Sequence, residues 1–192
     1  MKTPPPDLVS RNLDLLFEAG SLRHIQRSWR QFFGVNVAND LEHTIRVQYI
    51  ALMLAQMEKK GDHGTILKMA LLHDLAEART GDQNFVHKKY GDLQEEAALH
   101  GALVGTSLEE DEALITRYIK RDCIESKLVK DADNLDVDIE MRELAAQGHQ
   151  LPAKWHAGRK NIRDTKPFTE SAKILWDAIQ ESDPYNWQVQ IH

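Results

Sequence analysis

One cysteine, Cys123, is all the sequence contains, so no intramolecular disulfide framework holds the chain together. That scarcity fits a reducing compartment, and a cytoplasmic location is expected. The opening MKTPPPDLVS has no apolar stretch with a small-residue cleavage site, so no secretory signal is expected. No apolar run approaches the roughly 20 residues that span a bilayer. The longest, Ile45 to Leu54, is interrupted by Arg46 and Gln48. Basic excess is missing too. A formal net charge of −6 argues against binding a nucleic-acid polymer, which calls for a basic face. Gly-rich phosphate loops, CxxC pairs and Ser-His-Asp arrangements are all absent.

Glycine and proline are sparse and fall between periodic segments, while strand-like alternation and internal repeats are lacking. The expected class is therefore all-α, with the 192 residues in a single domain. Helices are expected over 7–19 (opened by Pro4 to Pro6 and stopped by Gly20), 39–60, 62–80, 92–104, 107–121, 125–147 and 168–181. A looser stretch covers 21–39, with a short hairpin near 32–37 as the alternative. The interval 148–166, with Pro152, Trp155 and Gly158, reads as an irregular loop.

Three of these helices carry a residue that an apolar row should not contain. His43 begins the row Val47, Ile50, Leu54, Met57. His73 joins Ile66, Met69 and Ala70 ahead of Glu77, with Asp74 next to it, and Asp133 interrupts Val129, Val137 and Met141. Burying a carboxylate or unpaired imidazole is costly unless it is paired or bound to a metal. A single such histidine is ordinarily a satisfied core residue. Two imidazoles and two carboxylates turned inward from three helices instead make a mixed N/O ligand set for a divalent ion. Adjacent helical residues point about 100° apart, so His73 and Asp74 share a metal only if it lies between their directions.

His43, His73-Asp74 and Asp133 resemble the H…HD…D signature of the HD-domain superfamily of metal-dependent phosphohydrolases. The segments LEHTIRVQYIALMLA, KMALLHDLAEARTGD and KLVKDADNLD carry the likeness, which extends from about residue 22 to 144. Within that superfamily the chain is most similar to the 5′-deoxynucleotidases. His73, Asp74, Glu77, Gly81 and Asp82 match their HD-x-x-E-x-x-x-G-D pattern, and Arg27 and Trp29 precede the first histidine as an Arg and Trp do there. The subgroup sets Arg and Trp adjacent or one glycine further apart, so Arg30 is an alternative to Arg27.

The resemblance implies a single HD-domain helical bundle, with a core of about 22–147 followed by a C-terminal loop and helix over 148–192. It implies one divalent cation (Co, Mn, Mg, Fe or Zn) on His43, His73, Asp74 and Asp133. Glu77 and Asp82 would hold or activate water or protonate the leaving 5′-oxygen, their roles interchangeable at this stage. Arg27 would clamp phosphate, and Trp29 would stack on or shape the sugar pocket; core packing is the other reading of Trp29. The implied substrate is a small nucleotide, with no membrane partner, and the implied assembly is a homodimer. Two other classes stand beside this. One is a dinuclear HD phosphodiesterase or di-iron oxygenase using His87 and His100. The other is a non-catalytic HD module that binds nucleotides or regulates.

Overall fold

The computed structural model describes residues 6–189. Pro4 and Pro5, expected to open the first helix, lie outside the described residues. The helices are α1 (Pro6–Ser21), α2 (Arg30–Phe33), α3 (Asp40–Glu58), α4 (His63–Leu72), α5 (Glu77–Thr80), α6 (Phe85–Tyr90), α7 (Glu95–Leu103), α8 (Glu112–Lys120), α9 (Ile124–Ala146), α10 (Leu151–Thr165), α11 (Glu170–Glu181) and α12 (Asn186–Val189). Short 3-10 turns lie at Leu22–His24 and Glu109–Asp111. No strand forms among the described residues. The looser 21–39 stretch contains only an isolated bridge between Gln26 and Asn39, and helical α2 stands where a hairpin was the alternative.

Local chemistry fixes where the central helices begin. Asn39 caps α3 in a reciprocal box with Glu42. Asp62 caps α4 by accepting from Thr65 N at 2.7 Å. Cys123 caps α9, its sulfur accepting from Ser126 N, so the lone thiol has a structural task. α3 and α9 pack along each other, with α4 against both. Val47, Ile50 and Leu54, Ile66 and Met69, and Leu128, Val129 and Ala132 fill the core between them. Met57, read into the α3 row, is exposed instead.

Two expectations fail. The helix expected to run to Thr80 stops at Leu72, and residues 73–76 form tight turns before α5. Leu75, Glu77 and Ala78 each donate backbone hydrogen bonds to the carbonyl three residues back. This tightening eclipses residues three apart rather than four. Asp74 and Glu77 are therefore brought to one side.

The second failure is the 148–166 loop, most of which is helix α10. Gly148, at φ 90°, turns the chain out of α9 in a conformation suited to glycine. Pro152 sits in the first turn of α10, where its missing N–H costs nothing. Trp155, Arg159 and Ile162 then follow helical spacing. Arg159 donates to Asp138 at 2.9 and 2.6 Å, fastening α10 to α9. A proline and a glycine that the helix tolerates had masked that period.

Candidate active site

α3, the α4–α5 turn and α9 converge on one point. His43 Nε2 lies 3.3 Å from His73 Nε2, 3.3 Å from Asp74 Oδ2 and 3.4 Å from Asp133 Oδ1. His73 Nε2 is 3.2 Å from the same Asp74 oxygen. The structure thus gathers all four expected ligand residues. Asp133 is the looser member, because its other oxygen takes bonds from Lys130 Nζ at 2.6 Å and Tyr118 OH at 3.2 Å.

The outer nitrogens decide which atoms remain available. His73 Nδ1 donates to Ala70 O at 2.8 Å, and His43 Nδ1 faces Asp136 Oδ2 at 2.6 Å. A carbonyl and a carboxylate both require a donor there, so in its neutral form each ring would turn its Nε2 lone pair toward the other. Two lone pairs and two carboxylates then share a small space, an arrangement that calls for a cation. The same field acts on His43. Burial and Arg27 oppose its charging, yet hydrogen bonds to Asp133, Asp136 and Asp74 raise its pKa well above the usual histidine range. Two imidazoles and two carboxylates suit a borderline or hard divalent ion, so the residues fit the metal that the signature implies.

Asp136 is in turn held by Arg46, whose Nη1 reaches both Glu143 oxygens at 3.0 Å. A carboxylate behind a ligand histidine fixes its tautomer and orientation. Sequence reasoning missed Asp136, Arg46, Tyr118 and Lys130. The only available signal was spacing: Asp136 stands three residues after Asp133, and Arg46 three after His43.

A second acidic group adjoins the first. Carboxylate oxygens of Asp40, Glu77 and Asp82 lie within 4.8 Å of one another. Asp40 is fully buried with neither oxygen partnered, and Glu77 Oε2 is buried and unpartnered as well. Burial first, then Asp74, Asp82 and Asp40, push the Glu77 carboxyl up to about 11. Arg27 stands among these acids, 3.1 Å from Asp74, 3.8 Å from Asp82 and 4.0 Å from Asp40. Burial disfavours its charge, but the surrounding carboxylates hold it on. Its guanidinium also lies 5.0 Å from the centre of the Trp29 ring. Asp40 was not anticipated.

A cleft of about 580 Å³ opens beside these groups, lined by Arg27, Ser28, Trp29, Asp74, Glu77, Asp82 and Asp133 and closed on the far side by α10. That size lies within the usual range for small-molecule sites. Arg27 Nε, Ser28 Oγ and Trp29 Nε1 are all buried without a hydrogen-bond partner. Three consecutive residues at the cleft wall thus carry buried donors with no partner in the protein. Arg30 is exposed and does not line the cleft, whereas Arg27 does. Lys88 lines the cleft, but His87 and Lys89 do not. His100 is 60% exposed on its side chain and pairs with Glu112, so neither His87 nor His100 joins the histidine-aspartate group.

The HD domain family model matches residues 19–176. The chain belongs to the HD-domain family. A 5′-deoxynucleotidase, HDDC2 of Dictyostelium discoideum, is 27% identical over 159 residues, covering 76% of this chain and 84% of that protein. A conserved hypothetical protein from Pyrococcus furiosus shares 32% identity at a TM-score of 0.71, covering 88% of this chain and 97% of its own. The fold also matches a predicted metal-dependent phosphohydrolase from Magnetospirillum magnetotacticum at 19% identity and a TM-score of 0.68, covering 90% and 93% of the two chains. None of the described helices is long and apolar enough to cross a membrane.

Proposed function

We propose that this HD-domain protein is a divalent-metal-dependent phosphohydrolase that releases phosphate from deoxynucleoside 5′-monophosphates. The observation that carries the reading is the convergence of His43 Nε2, His73 Nε2, Asp74 and Asp133 beside a cleft of about 580 Å³ that Arg27 also lines. The named activity of the Dictyostelium relative supports the choice of substrate.

His43, His73, Asp74 and Asp133 would hold the cation. When bound, it supplies Lewis-acid polarisation of the phosphoryl group and lowers the pKa of water. Arg27 Nε, Ser28 Oγ and Trp29 Nε1 donate to phosphate oxygens and orient the ester. Asp82, an acceptor at the cleft wall, aligns the attacking water and takes its proton as the oxygen bonds to phosphorus. Glu77, held as a carboxylic acid by its surroundings, gives its proton to the 5′-oxygen as the P–O bond breaks.

A dinuclear site is the second reading, favoured by the clustered Asp40–Glu77–Asp82 carboxylates, of which Asp40 and Glu77 keep buried oxygens without hydrogen bonds, rather than by further histidines. The test is phosphate release from a panel of deoxy- and ribonucleoside monophosphates by chelated protein, with and without added Co, Mn or Mg. Metal-restored release from the deoxy set is the expected result. Release that survives chelation, or none from any monophosphate, would remove the proposal.

A further inference from the structure

Helix α10 is fixed so that one face looks into the cleft. Arg159 Nη2 donates to Asn134 O at 2.8 Å while its guanidinium holds both Asp138 oxygens, so the arginine is spent on position. One turn earlier stands Trp155, lining the cleft with Gly158. Trp155 meets Phe32, Phe33 and Phe85 at interplanar angles of 66°, 63° and 74°. These edge contacts hold the indole still, and none of them stacks a ring flat upon it. Val137 and Met141 of α9 continue the apolar lining below it.

Gly158 is the second pointer. Its helix interior is where glycine is disfavoured relative to alanine, and a Cβ there would meet nothing within 4 Å. Neither crowding nor backbone conformation therefore calls for glycine at this position. Gly158 lines the cleft with Trp155, where a large side chain would project into open space. Asp74, Asp133 and Arg27 line the same cleft, and a phosphate alone would fill only part of its volume of about 580 Å³.

We propose that α10 carries a subsite for the flat ring of the substrate, with Trp155 as the platform and Gly158 as the opening beside it. This rests on the nucleotide-monophosphate reading and names the residues that distinguish a nucleotide from a ring-free phosphate ester. A nucleobase has a π-face of the size that the indole offers, and such stacking tolerates any base. The subsite therefore recognises the class of heteroaromatic rings more than one member of it.

Two variants of the metal-loaded protein test this, with 2-deoxyribose 5-phosphate as the ring-free ester. Trp155→Ala should raise KM for deoxynucleoside monophosphates about 10-fold, a scale typical of a lost stacking contact. Its kcat on them, and its handling of the ring-free ester, should stay close to wild type. Gly158→Leu fills the opening while improving helix propensity, so its melting temperature should not fall, yet its kcat/KM on nucleotides should. Calorimetric titration of deoxyadenosine, which carries the ring but no phosphate, gives a readout independent of turnover. Binding to the wild type that is lost in both variants supports the subsite. Equal losses on ring-bearing and ring-free esters, unchanged KM in both variants, or no nucleoside binding by the wild type would overturn it. Wild-type protein that binds deoxyadenosine but cleaves no nucleoside monophosphate would instead retire the nucleotidase reading and leave the subsite standing.

Discussion

The two sides of the cleft are built differently. On one side, α3, the α4–α5 turn and α9 bring charged groups into a nearly dry core and brace each with another. Asp136 steadies His43, Arg46 steadies Asp136, and Lys130 and Tyr118 hold Asp133. On the other, α10 is mostly exposed and is fastened chiefly by Arg159 and an aromatic cluster. Buried, cross-braced charge suits chemistry, where a small displacement is costly. A single fastened helix suits selection, because its face can vary without disturbing the ligands.

Variants should separate the two walls. Asp133→Ala removes one carboxylate ligand and should abolish metal-dependent phosphate release together with bound metal, both measured on the purified variant. Full activity with full metal content would break the ligand wall as drawn. Glu77→Gln should keep its metal while turnover falls about 100-fold or more, the scale of lost acid–base help. An equal loss of metal would make Glu77 a ligand rather than an acid. Asp136→Ala frees the His43 ring and should weaken metal binding by about 10–100-fold, with activity regained at excess metal. No change in affinity would deny Asp136 its orienting part. The mildest effect on chemistry belongs to the opposite wall. Arg159→Leu leaves Asp138 buried without its partner, so the melting temperature should drop by several degrees while release from a ring-free ester persists. A collapse of ring-free turnover would tie α10 to catalysis and erase the distinction.

The walls also differ in how far the sequence discloses them. His43, His73 and Asp133 were legible because each breaks an apolar row, and polar residues on such rows need partners. Asp136 was not, since it follows Asp133 within a stretch that also holds Asp131 and Asp138, and nothing in the sequence distinguishes it from them. Only the fold shows Asp131 holding the entry to α11 by accepting from the Phe168 and Thr169 N–H groups, and Asp138 receiving Arg159. Asp40 was not legible either: Asn39 caps α3, and Asp40 beside it is buried. The tight turns after Leu72 were invisible to an analysis of 3.6-residue periodicity, yet they are what sets Asp74 and Glu77 on one side. α10 was lost to Pro152 and Gly158, residues that punctuate most chains but here stand in the first turn and beside an opening.

Metal stoichiometry tests the central claim most directly. Chelated protein should be inactive toward deoxynucleoside monophosphates, and stepwise return of Mn or Co should restore phosphate release with a break at one equivalent per chain. Activity that persists in the chelated protein, or a break at two equivalents, would contradict a single cation on His43, His73, Asp74 and Asp133.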